Sequence, residues 1–177
     1  MSYEVLSREK KFHGKIVDVV EEHIETPDGK EIVREIVLRG EASAVLPVDA
    51  DGKIIFVRQY RAPIGGLALE IPAGMIDEGE SPLDCAVREL EEEAGVIAGK
   101  ISRVAKMHTG IGYSTEVNYI FIAEDLREGT QHFDDDEYVE VEKYSLNEAI
   151  EMIYDGRITD GKTIAAVLAY FQKNHKG

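Results

Sequence analysis

Cysteine is nearly absent from the chain. A single residue, Cys85, rules out an intrachain disulfide framework and a multi-cysteine zinc site. Basic residues are scarce beside acids, 20 Lys and Arg against 35 Asp and Glu, for a formal net charge of −15. That balance argues against a protein that grips a nucleic-acid backbone, which needs basic surface. It leaves open a small anionic ligand, provided cations or a few arginines neutralise it locally. No apolar run approaches the roughly 20 residues of a membrane span, and Met1 to Arg8 lack the basic-then-apolar pattern of a secretory signal. A cytoplasmic setting, with no membrane and no nucleic-acid partner, is therefore expected. There is no long Pro or Gly/Ser linker, no low-complexity tract and no internal repeat.

What is present suits one domain with a small appendage. The 177 residues are 44% hydrophobic, enough for a core. Lys15 to Glu25 and Glu31 to Leu38 read as strands around the Thr26-Pro27-Asp28-Gly29 turn, an N-terminal hairpin. Ala42 to Val48 and Lys53 to Tyr60 flank a second turn, Asp49-Ala50-Asp51-Gly52. Leu67 to Ile71 is a short strand, and others are predicted at Ser102 to His108, Val117 to Ala123 and Tyr138 to Tyr144. A helix starts at Pro82 behind a Ser81 cap and stops at Gly95. Two more close the chain, Leu146 to Tyr154 behind Ser145, and Lys162 to Asn174 with Ile164, Val167, Leu168 and Phe171 inward. This mixture predicts an α/β fold with helices packed on a sheet.

The informative segment is GMIDEGESPLDCAVRELEEEAGV, residues 74–96. At about 100° per residue, Leu83, Ala86, Val87, Leu90 and Ala94 share an arc that should face the core. Glu89, Glu92 and Glu93 share another. Three carboxylates at such spacing repel, by a few tenths of a kcal/mol per pair in an isolated helix. A divalent ion would turn the repulsion into coordination, since carboxylate oxygens are the hard ligands that magnesium and manganese prefer. Arg88 lies one turn from both Asp84 and Glu92, placed to orient a carboxylate. A solvated acidic face is the plainer reading of a glutamate-rich helix taken alone.

The wider spacing decides between them. Gly74, Glu80, Arg88-Glu89-Leu90, Glu92-Glu93 and Gly95-Val96 resemble the Nudix box at every defining position. The resemblance implies a Nudix-type α/β/α sandwich with a mixed sheet over residues 41–177, with residues 1–40 as a β-hairpin extension. It also implies hydrolysis of nucleoside diphosphates linked to another moiety, with Mg²⁺ or Mn²⁺ as cofactor. By the same resemblance Glu89, Glu92 and Glu93 are metal ligands, joined by the backbone carbonyl of Ala73. Arg88 and Glu92 assist catalysis, and Glu80 supports the loop or a metal-bound water. Metal ions suit this chemistry because they neutralise a pyrophosphate whose charges repel an attacking water.

The stretch Phe56-Val57-Arg58-Gln59-Tyr60-Arg61, ahead of Leu69-Glu70-Ile71-Pro72-Ala73-Gly74, is similar to the ADP-ribose pyrophosphatase branch. There, the last arginine touches a substrate phosphate, a role that falls on Arg61. Members commonly pair as homodimers through exchanged N-terminal strands, so Arg34 and Glu35 are candidates for adenosine-side contacts. The acid-rich loop before Tyr138 supplies a general base, assigned to Asp135 with Asp134 or Asp136 as alternatives, and a further metal ligand, Glu137. Glu116, closing a Gly-Tyr-Ser-Thr-Glu segment, is a candidate substrate or metal-side contact. One departure stands out: where branch members carry a loop proline, about 16 residues past the box, this chain has Ile111. The resemblance thus implies cleavage of ADP-ribose to AMP and ribose 5-phosphate. The alternatives are another nucleoside diphosphate sugar as substrate, or a non-catalytic nucleotide-sensing module.

Overall fold

The computed structural model describes residues 2–132 and 138–174. It divides into two units, one of residues 1–41 and 108–117, the other of residues 42–107 and 118–177.

The first unit is an antiparallel meander of β1 (Glu4–His13), β2 (Asp18–Glu25) and β3 (Glu31–Leu38), in that spatial order. The expected hairpin is β2–β3, in unbroken register from Asp18↔Leu38 to Glu25↔Glu31. Its turn closes with Gly29 at φ +79°, a conformation glycine adopts without a Cβ penalty. β1 was not foreseen. Its register with β2 slips twice, between Val5 and Ser7 and between Lys10 and Phe12. These irregularities erase the two-residue alternation by which a strand is recognised in sequence. All ten of its residues are exposed, although Arg8 reaches across to the buried carboxylate of Glu22. The other edge of the meander is met by the 108–117 segment, where the Val37 N–H donates to Tyr113 O at 2.7 Å and the Val37 carbonyl accepts the Thr115 N–H at 3.0 Å.

The second unit carries the rest: β4 (Glu41–Pro47), β5 (Lys53–Arg61), β6 (Gly66–Glu70), β7 (Ala73–Met75), α1 (Pro82–Ala94), β8 (Val96–His108), β9 (Val117–Glu128), β10 (Glu140–Ser145), α2 (Leu146–Tyr154) and α3 (Gly161–Asn174). Its strands form two sheets, β7-β4-β9-β8 and β10-β5-β6. The last expected strand begins at Glu140, leaving Tyr138 outside it. Leu46, Ile54, Phe56, Leu69, Ile71, Ile120, Ile122, Met152 and Val167 interlock in one core. Each large side chain buried this fully contributes about 1.5–3 kcal/mol. Among the described residues no helix is long and apolar enough to cross a membrane.

The helix ends follow their sequence signals. Ser81 Oγ accepts the Asp84 N–H ahead of α1, and Gly95 ends it at φ +65°. Ser145 and Glu148 form a reciprocal capping box on α2. The helix faces agree with expectation in part, with Ala86, Leu90 and Ala94 of α1 and Val167 of α3 buried. Leu83 and Val87 of α1 and Leu168 of α3 are exposed. The buried side of α1 is Cys85, Ala86, Glu89, Leu90, Glu93 and Ala94, so the helix is turned toward its carboxylates. Hydrophobic periodicity gives acids no weight at an inward position, and here two of them have partners there.

Candidate functional site

β7 is three residues long, and its middle residue is the tightest point of the second unit. A Cβ built on Gly74 would fall within the carboxylate of Glu89. A larger residue at 74 would have to displace that carboxylate. One residue back, the Ala73 N–H donates to Glu93 Oε2 at 2.9 Å. Gln59 of β5 reaches the other oxygen, Nε2 to Oε1 at 3.4 Å. Glu89 and Glu93 are 8% and 6% exposed, so both carboxylates have lost most of their water and depend on these contacts.

Arg88 binds the loop to the helix. Its Nε donates to Glu80 Oε1 at 2.9 Å and its Nη2 to Glu80 Oε2 at 3.1 Å. Nη2 also reaches the Met75 carbonyl at 3.1 Å. Nη1 donates to Glu89 Oε1 at 2.6 Å and to Glu92 Oε2 at 2.9 Å. Glu80 accepts the Asp77 N–H at 3.0 Å as well, so one guanidinium fixes the 75–80 turn against α1. The Arg88 hydrogen bonds, then that from Asp77, hold the Glu80 carboxyl down at about 2. The same carboxylates push the Arg88 pKa further upward. Glu92 is the more open of the cluster, with its side chain 38% exposed. Cys85 lies beneath, fully buried, its thiol 3.6 and 3.5 Å from the Gly74 and Met75 carbonyls. Burial first, then the charges of Glu80 and Glu89, push that thiol up to about 11.

Arg61 ends β5 and grips the buried Glu70 through two bonds, Nε to Oε1 at 2.7 Å and Nη2 to Oε2 at 3.1 Å. Lys162 of α3 meets Glu70 from another side. Burial pushes the Glu70 carboxyl up, but these cations outweigh it and hold it below the usual range. The Glu70 bond, opposed by burial, raises the Arg61 pKa, and the charges of Glu93 and Asp160 add to the rise. Arg61 thus feels one box carboxylate, Glu93.

Of the residues expected from sequence, the second unit gathers Ala73, Arg88, Glu89, Glu92 and Glu93, with Arg61 within electrostatic range of Glu93. Arg34, Glu35 and Glu116 lie in the first unit. Arg34 and Glu35 are exposed on β3, with Arg34 Nη1 donating to the Val33 carbonyl at 2.8 Å. Glu116 is held internally, accepting from Arg39 Nε and Thr109 Oγ1, both at 2.7 Å. Asp135 and Glu137 lie outside the described residues, as do Asp134 and Asp136. Sequence reasoning passed over Gln59, Glu70 and Lys162. A polar residue at an inward strand position is the signal that marks Gln59 and Glu70, and no such signal marks Lys162 on its helix.

The donor set is hard oxygen throughout, two buried carboxylates and a third more open, beside a glycine that admits close approach. That chemistry fits a divalent cation such as magnesium or manganese. As placed, no three His, Cys, Asp or Glu side chains among the described residues form a ready cage. The Arg88 Nη1 sits between Glu89 and Glu92, so an ion there competes with it for the same oxygens.

Comparisons with known proteins agree with this geometry. The NUDIX domain model matches residues 38–167. An ADP-ribose pyrophosphatase of Bacillus subtilis (strain 168) is 40% identical over 164 residues, spanning 92% of this chain and 89% of that protein. A methanol dehydrogenase activator of Bacillus methanolicus is 35% identical over 164 residues, with the same shares. The crystal structure of an ADP compounds hydrolase, 23% identical, shares the fold with a TM-score of 0.88, covering 99% of this chain and 97% of that one. With its box intact from Gly74 to Val96 and the family match running over most of its length, the chain belongs to the Nudix family.

Proposed function

We propose that this protein hydrolyses the pyrophosphate bridge of ADP-ribose, giving AMP and ribose 5-phosphate, with Mg²⁺ or Mn²⁺ as cofactor. The observation that carries the reading is the pair of buried carboxylates, Glu89 and Glu93, set against the backbone of residues 73–74. Buried acids in an acidic chain are costly unless a cation shares them. The similarity to the Bacillus subtilis ADP-ribose pyrophosphatase supports the choice of substrate.

Glu89, Glu92, Glu93 and the Ala73 carbonyl would hold the metal, which when bound would supply charge neutralisation at the phosphates. Arg88 keeps the ligand carboxylates oriented and the 75–80 turn closed. Arg61 receives a phosphate oxygen in its guanidinium fork. Asp135 takes the proton of the attacking water and Glu137 completes the metal shell. Water adds across the phosphoanhydride: its oxygen goes to one phosphorus, and the bridging oxygen leaves on the other. Residues 41–177 form the catalytic domain and residues 1–40 an extension through which two copies pair. The exposed Tyr3, Val5, Leu6 and Phe12 support that pairing. Arg34, Glu35 and Glu116 then serve the nucleoside side. The setting is cytoplasmic.

A second reading, another nucleoside diphosphate sugar as substrate, is favoured by Ile111, which is 84% exposed in the loop where branch members have proline. One experiment tests both. Product analysis across ADP-ribose, GDP-mannose and UDP-glucose in oxygen-18 water, with magnesium, ranks kcat/KM and shows which phosphorus gains the label. ADP-ribose leading the ranking supports the first reading, and a different sugar leading supports the second. In parallel Glu93→Gln should lose roughly 10²–10⁴-fold in kcat. Unchanged turnover by that variant would remove Glu93 from the metal site.

A further inference from the structure

Glu70, the last residue of β6, is shared between cations from two other elements. Arg61 takes it with Nε and Nη2. Lys162, in the first turn of α3, takes Oε2. The Lys162 ammonium also meets Asp160 at 3.0 Å, and only 13% of its side chain reaches solvent. Asp160 is itself fixed by the Thr163 N–H at 3.0 Å and hydroxyl at 2.6 Å. Two cations and two carboxylates thus form a charge-balanced chain, from Arg61 through Glu70 and Lys162 to Asp160. A lysine this buried has surrendered much of its hydration, and two acids hold it in place.

The sharing bears on Arg61. Its grip on Glu70 uses Nε and Nη2, and Nη1 has no hydrogen-bond acceptor among the described residues. If Arg61 alone answered the Glu70 charge, its guanidinium would have little pull left for a second anion. Lys162 takes part of that charge, so Arg61 can attract a phosphate while staying anchored.

We propose that Lys162 is a positioning residue for Arg61: by sharing the Glu70 carboxylate it sets the orientation and the residual positive charge of the guanidinium that meets the substrate phosphate. This rests on the reading of Arg61 given under the proposed function. Steady-state kinetics with ADP-ribose and magnesium on Lys162→Met, Lys162→Gln, Lys162→Arg, Arg61→Ala and the double variant Arg61→Ala with Lys162→Met tests it. Lys162→Met should raise KM on the order of ten-fold with kcat within about two-fold. Lys162→Arg, which keeps the charge, should recover most of the loss. In the Arg61→Ala background the Lys162→Met change should add nothing, because it acts through the missing guanidinium. Lys162→Gln keeps a hydrogen-bond donor without charge, and should show the same KM rise if Lys162→Met does not fold. An unchanged KM in the Lys162 variants, beside a raised KM in Arg61→Ala, overturns this proposal alone. An equal KM rise with and without Arg61 does the same. An unchanged KM in Arg61→Ala overturns the phosphate reading and this proposal with it.

Discussion

Gly74 and Glu89 are in such close contact that the carboxylate occupies the space a side chain at 74 would need. An added side chain at 74 would meet the end of Glu89, not the backbone of α1. Gly74→Ala must push either β7 or the Glu89 side chain aside. The expected result is a fall in kcat/KM of about 10²-fold, the scale of a small misplacement of a reacting group. The overpacking cost to stability should be about 1–3 kcal/mol. Kinetics beside thermal melting separates the two, and near-normal activity in a well-folded Gly74→Ala would sink the argument.

The Arg88–Glu80 clamp makes a pH-dependent contribution. Glu80 is held at about 2, below its ordinary 4.5. A carboxyl depressed in the folded state adds stability that is complete above its unfolded value and disappears as pH falls toward the folded one. Wild type should therefore lose unfolding free energy between about pH 4.5 and 2 more steeply than Glu80→Gln. Urea denaturation at a series of pH values gives both slopes. Parallel curves for the two proteins would mean the clamp is not formed in solution.

Thr163 is fully buried and does two jobs. Its hydroxyl accepts the Ile71 N–H at 3.0 Å and donates to Asp160 at 2.6 Å. Thr163→Val keeps the shape but leaves the Ile71 N–H without its acceptor, while Asp160 loses one of its donors and keeps the Thr163 N–H and Lys162. Stability should drop by about 1–3 kcal/mol, which in a chain of this size lowers Tm by roughly 2–4 °C per kcal/mol. Differential scanning calorimetry measures it directly, and an unaltered Tm would show that water replaces the hydroxyl.

Cys85 has no exposed surface and a thiol pushed up to about 11. Thiolate is the reactive form. Ellman's reagent at pH 8 should leave the native protein unlabelled over the time in which denatured protein reacts completely. Rapid labelling of the native state would mean that the 74–75 turn opens readily.

Several features were legible because they are local. The Ser81 cap, Pro82 and Gly95 mark α1 to the residue, and Ser145 with Glu148 marks the start of α2. The Thr26–Gly29 turn located β2 and β3. The box spacing named the carboxylates and the family. β1 was illegible because its register irregularities break the alternation, and because every residue on it is exposed. The buried side of α1 was legible only in part: Ala86, Leu90 and Ala94 are buried as their periodicity implies. Leu83 and Val87 are the more apolar residues, yet they face water while Glu89 and Glu93 turn inward.

By itself, then, the sequence determined which residues begin and end the helices, where the chain turns, and which acids are candidates for a cation. Each of these depends on neighbours within a few positions. Tertiary structure alone decided that Glu93 is answered by Ala73 and Gln59, that Glu89 lies on Gly74, and that Lys162 meets Glu70 across 92 positions of chain. A buried charge can be kept only where a distant partner arrives to satisfy it, and no local pattern carries the address of that partner.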